Sequence, residues 1–192
     1  MHWLVVISIG IGLAGAAAYI RDIRKGTTKP NLVTWFLWAI APLIGTGAAI
    51  SAHADIWGTA RIFLAGFIPL IVICFAFANK RSYWKLGRFD YLCGTFSLLA
   101  LIIWLSVGLP KIAIVFAALA DGFAAIPTIR KAWRHPETET GITHVSSLLG
   151  VLLVLPSIPN WQVENWAFQA YLVVCNSLLV IAVYRNRIFK SA

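Results

Sequence analysis

The chain is 192 residues long, 60% hydrophobic and only 12% charged, with a formal net charge of +9 and a mean hydropathy of +0.81. A soluble domain of this length cannot bury that much apolar surface, so the composition points to an integral membrane protein. The basic excess does not imply a nucleic-acid partner, because the charges lie in the gaps between apolar runs rather than along one face.

A helix needs about 20 mostly apolar residues to cross a hydrocarbon layer of roughly 30 Å. Seven runs approach that length: about 2–20, 31–50, 59–78, 91–108, 111–129, 145–159 and 167–184. The first begins at Trp3 with no basic segment before it, which reads as a spanning helix rather than a cleaved signal. The second carries Trp35, Trp38 and Pro42, and the third holds Arg61 one turn after Trp57, as well as Pro69. The fifth contains Asp121 and Pro127. The sixth is the shortest, with a start as early as Gly141 open to it, and carries His144, Ser147 and Pro156. Gln169 and Asn176 lie on the seventh. Cys74, Cys93 and Cys175 all fall inside apolar runs, where a cysteine is a small packing residue rather than a disulfide partner or metal ligand.

The positive-inside rule orients the chain. Arg21, Arg24, Lys25 and Lys29 follow the first run, Lys80, Arg81, Lys85 and Arg88 the third, Arg130, Lys131 and Arg134 the fifth, and Arg185, Arg187 and Lys190 the seventh. Only Arg61 and Lys111 fall on the other side. The expectation is an N-terminus outside and a C-terminus in the cytoplasm of a cell (inner) membrane. Trp3, Trp57, Trp161 and Trp166 at outer ends, and Trp84 and Trp133 at inner ones, fit an aromatic belt.

The chain repeats itself. Shifted by 106 residues, Ala14, Ala18, Ile20, Ile23, Arg24, Lys25 and Pro30 meet Ala120, Ala124, Ile126, Ile129, Arg130, Lys131 and Pro136. Three extra residues in the second loop move the shift to 109, which pairs Thr34 with Thr143, Trp35 with His144, Trp38 with Ser147 and Trp57 with Trp166. This predicts an all-α integral membrane protein with two parallel three-helix bundles, 1–90 and 111–192, joined by a linker helix over 91–110. The odd linker gives both copies the same orientation.

Seven helices in a three-plus-one-plus-three order, with a proline motif ending the fifth, resemble the PQ-loop and SWEET-like superfamily of membrane proteins. The resemblance covers nearly the whole chain in topology. The family's Pro-Gln dipeptide stands here as Pro127-Thr128 in the second copy and Arg21-Asp22 in the first, so one copy keeps the proline and neither the glutamine. The resemblance implies a non-catalytic protein that moves a small solute by alternating access, with Pro42, Pro127 and Pro156 as hinges. It also implies a substrate contact at Asn176, which stands where sugar-facilitating relatives use an asparagine. A ligand-binding receptor, as the KDEL receptor is in this fold group, and a structural or lipid-handling subunit are the alternatives.

Asp121 is the leading candidate for chemistry. Counted from Lys111 at 1.5 Å per residue, it lies about 15 Å deep, where a carboxylate costs at least ~2.5 kcal/mol unless it faces a cavity or a partner. It would bind a proton or a cationic group of the solute. Trp35 and Trp38 share a helix face, and their repeat partners His144 and Ser147 would line the opposite wall. For Trp35 the alternative is the inner aromatic belt, and for His144 an interfacial loop. Asn176 could instead make an interhelical hydrogen bond, and the prolines could be static kinks. The loop "RKAWRHPETETGITH" reads as an inner gate or as capping structure, with Thr138, Glu139 or Thr140 at the start of the sixth helix. The small residues Gly10, Gly12, Ala14 and Gly15 suit either internal packing or a homodimer. No Walker-type loop, HExxH or CxxC pair is written in the chain, so no cofactor or metal is expected; lipids, a small solute and protons are the expected partners.

Overall fold

A computed structural model describes residues 2–51, 56–106, 110–157 and 163–189. The described chain is wholly helical, with no strand: α1 (His2–Lys25), α2 (Leu32–Ser51), α3 (Ile56–Ala78), α4 (Arg88–Ser106), α5 (Pro110–Arg134), α6 (Gly141–Val154) and α7 (Val163–Ile188), plus 3₁₀ turns at Lys80–Ser82, Pro136–Thr138 and Leu155–Ser157. Three stretches, Trp3–Lys25, Arg88–Ser106 and Trp166–Ile188, are long and apolar enough to cross a membrane. Large apolar side chains stand exposed on every helix, and α4 turns Leu92, Phe96, Leu99, Ile102 and Ile103 outward. Water would not tolerate that belt, whereas lipid would.

The helix ends depart from the apolar runs for local reasons. α1 continues through Arg21–Lys25 and stops only at Gly26, whose φ of +78° suits glycine. The Gly26 amide bonds the Ile23 carbonyl and the Thr27 amide bonds that of Asp22, a Schellman closure. α5 likewise runs on to Arg134, one residue before the pre-proline position His135. α6 begins at Gly141 and ends at Val154, not 145–159. Pro156 therefore lies in the 3₁₀ turn beyond α6 and is exposed, not inside the helix as expected. Pro42, Pro69 and Pro127 do interrupt helix interiors. Thr140 occupies the N-cap of α6 but makes no capping hydrogen bond, and Glu139 is engaged elsewhere. Asp55 and Trp161 lie outside the described residues, as do the side chains of Trp57 and Arg61.

Packing follows one pattern twice. α3 sits against both α1 and α2, and α7 against both α5 and α6. Across the middle, α1 packs on α6 and α2 on α5, while α4 lies against α5 and α2. The paired threonines of the sequence repeat make both cross-connections. Thr34 Oγ1 donates to the Ala124 carbonyl of α5 at 2.6 Å, and Thr143 Oγ1 to the Gly15 carbonyl of α1 at 2.8 Å. Thr128, next to Pro127, donates to Thr34 Oγ1 at 2.9 Å.

The α1–α6 seam is close enough to demand glycine. A Cβ on Gly15 would lie 2.7 Å from Ser146 Cβ, whereas one on Gly10 would meet nothing within 4 Å. Gly15→Val is expected to destabilise by about 1–3 kcal/mol through overpacking, and Gly10→Val to be near neutral. Thermal midpoints of the two purified variants check this; equal midpoints would refute the close seam. Of the small residues on α1, Gly15 serves internal packing, while Gly10 and Ala14 face outward.

Candidate functional site

A cavity of ≈ 310 Å³ lies between the α1–α2–α3 group and the α5–α6–α7 group. That is at the small end for a ligand pocket. Trp35, Trp38, Asp121, His144, Ser147 and Asn176 all line it, as does Pro42. Pro127 does not; it is fully buried in α5. Trp35 and His144 are 4% and 3% exposed, so neither belongs to an interfacial belt or loop. Pro69 of α3 also lines it, and residues absent from the sequence reading complete the wall, among them Ser8 of α1 and Ser146 of α6.

The acidic feature is built by two helices. α5 carries Asp121, and α7 brings Tyr171, whose hydroxyl donates to Asp121 Oδ2 at 2.6 Å. The neighbouring Gly122 lies against that ring; a Cβ there would stand 3.5 Å from Tyr171 Cε2, an ordinary contact. From α2, the buried indole N–H of Trp38 lies beside the same carboxyl without a hydrogen bond of its own. Trp35 packs edge-on to Trp38, with ring centroids 5.5 Å apart at 75°, and its Nε1 is also buried without a partner. Asn176 spends its amide group on the Leu172 carbonyl of its own helix at 2.8 Å. Gln169 does not line the cavity, and its Oε1 is buried without a partner.

One end of this cavity is floored by a buried ionic cluster. Trp35 packs against Tyr19 of α1 with ring centroids 4.7 Å apart and tilted by 45°, and the Tyr19 hydroxyl donates to Glu139 Oε2 at 3.0 Å. His144 Nε2 lies 3.3 Å from the same oxygen. Lys131 Nζ stands 2.5 Å from Glu139 Oε1, a charge contact outside good hydrogen-bond alignment, and donates to the Lys29 carbonyl. The Lys131 and Glu139 side chains are 1% and 0% exposed. Trp84 covers the ammonium at 5.3 Å, so this indole serves the cluster rather than a belt. Burial alone would raise the Glu139 carboxyl. The Lys131 charge and then His144 overcome that and hold it at about 2.

Around the cluster, the connections between helices are stitched together. Thr28 and Thr140 share a 2.6 Å hydroxyl contact, Thr140 donates to Asp22 Oδ2 at 3.1 Å, and the Lys29 amide bonds the Thr138 carbonyl at 3.0 Å. Asn79 and Ser82, after α3, donate to the last carbonyls of α1. Asn31 caps α2 and donates to Asp90 Oδ1 of α4 at 2.9 Å. This is the end that carries the basic residues, and here the two groups of helices are locked to each other by buried polar contacts.

The repeat held a signal for this cluster. Lys131 matches the exposed Lys25, and the three extra residues of the second loop bring in the acidic pair Glu137 and Glu139. Among the described residues no group of His, Cys, Asp and Glu is arranged to hold a metal ion. No family model matches this chain, nor does any curated protein or solved structure.

Proposed function

We propose that the chain is a membrane transporter for a small polar solute, working by alternating access. In this proposal all seven helices span the membrane, with the N-terminus outside and the basic end in the cytoplasm. Helices α1–α3 and α5–α7 form two parallel units of the SWEET-like kind, joined by α4. The repeated packing pattern and the matched threonine bridges favour that arrangement.

The observation that carries the proposal is a solute-sized cavity between the two units, floored on the basic side by a buried ion pair of the second unit that is hydrogen-bonded to Lys29 and Tyr19 of the first. Opening that side requires Lys131 to leave the Lys29 carbonyl and Glu139 to leave the Tyr19 hydroxyl, because the ion pair belongs to α5 and the α5–α6 loop while Lys29 and Tyr19 belong to the first unit. Pro42 and Pro69 line the cavity and Pro127 lies behind it, placing helix irregularities where rocking would bend the chain. The state described is closed toward the basic end. Asp121 is the group on which a proton or solute charge would ride.

Proteoliposomes loaded with mixed metabolites should exchange one class of small solute with the medium, at a rate that falls to the empty-vesicle level when Asp121 is replaced by asparagine. Saturable ligand binding without any exchange would instead support a receptor built on the same fold.

A further inference from the structure

The chemistry of the cavity wall restricts the solute further. Among the described lining residues, Asp121 is the one carboxylate, and no lysine or arginine faces the space. His144 turns Nε2 toward Glu139, away from any role as a free cation. Tyr171 satisfies part of Asp121 Oδ2, but an ionised carboxyl has about four acceptor sites, and among the described residues no cationic side chain reaches the other oxygen. A carboxyl enclosed by mostly apolar walls either keeps its proton or takes a counter-charge. Beside it stand the Trp35 and Trp38 rings, whose π faces attract cations, and the unpartnered Trp38 N–H.

We infer that the solute is a small organic monocation, an ammonium compound whose N–H bonds Asp121 while its carbon frame lies against Trp35 and Trp38. The inference rests on the cavity being the solute site of the proposed transporter. It disfavours anions, which would meet no lysine or arginine among the described lining residues. It also disfavours diamines, because a second ammonium would lack a second carboxylate. Ser146, Ser147 and the Asn176 carbonyl oxygen provide for a hydroxyl or carbonyl elsewhere on the molecule.

The test uses two matched triads of probes on the purified full chain: 2-phenylethylamine, 2-phenylethanol and phenylacetate, and butylamine, butanol and butyrate. Binding is read by quenching of tryptophan fluorescence and by calorimetry. In at least one triad the amine should bind at least about tenfold tighter than the alcohol, with the acid weakest, and 1,4-diaminobutane should bind less tightly than butylamine. Asp121→Asn should remove the amine's advantage and leave the alcohol unchanged.

The wild-type ranking decides the matter even if that variant fails to fold. Acid or alcohol binding as tightly as the amine, or no binding in either triad, overturns the inference. Amine binding without flux in proteoliposomes removes transport but leaves the cation site standing. Flux of a neutral or anionic solute with no amine preference does the reverse.

Discussion

Replacing Glu139 by glutamine is expected to cost roughly 3–5 kcal/mol of stability, and Lys131→Met a similar amount, because each leaves a buried partner without its counter-charge. The double variant should recover most of that loss, since removing both charges also removes both desolvation penalties. The geometry makes the effect large: both side chains are almost wholly enclosed, and Tyr19, His144, Trp84 and the Lys29 carbonyl are all organised around them. Thermal or denaturant unfolding in detergent measures the three variants. Losses that simply add in the double variant would mean that the pair does not act as a unit.

The same pair sets an acid limit. The Glu139 carboxyl sits at about 2 in the folded protein against an ordinary value of 4.5. Its contribution is therefore present above about pH 4.5 and is lost as the pH falls toward 2. Wild type should show this extra acid sensitivity, and the double variant should lack it. The double variant should also open the basic end more readily, so a cysteine placed at His144 should react faster with a membrane-impermeant thiol reagent from that side.

This cluster is also where the sequence was hardest to read. Hydropathy located every helix, because runs of apolar residues are a sufficient mark of membrane-compatible helices. The repeat anticipated which helices would face each other across the cavity, and Trp38, Asp121, Ser147 and Asn176 all line it. Charge is different. Lys131 looks like any basic residue after a membrane helix, and Glu139 like a loop acid; their burial depends on Trp84 and Tyr19, which lie 47 and 112 residues from Lys131. Nothing local marks such a residue as buried. Pro156 failed for the opposite reason, since the apolar run carried on past the point where α6 tightens into a 3₁₀ turn.

Asp121→Asn should give the contrary signature to Glu139→Gln. Asp121 has a hydroxyl donor in Tyr171 and an indole N–H beside it, but no cationic side chain lines its cavity among the described residues. Removing its charge breaks no ion pair. An asparagine oxygen can still accept from Tyr171, and a charge is costly in the middle of a membrane, by at least ~2.5 kcal/mol on insertion scales. The variant is therefore expected to be as stable as wild type or more so, while solute exchange is lost. A carboxylate with a hydroxyl partner but no cationic one among the described residues is what the proposed cation site requires. Melting curves and exchange rates on the same preparation make the comparison. A marked loss of stability in Asp121→Asn, equal to that of Glu139→Gln, would show instead that Asp121 is a packing residue and that the cavity's charge is structural.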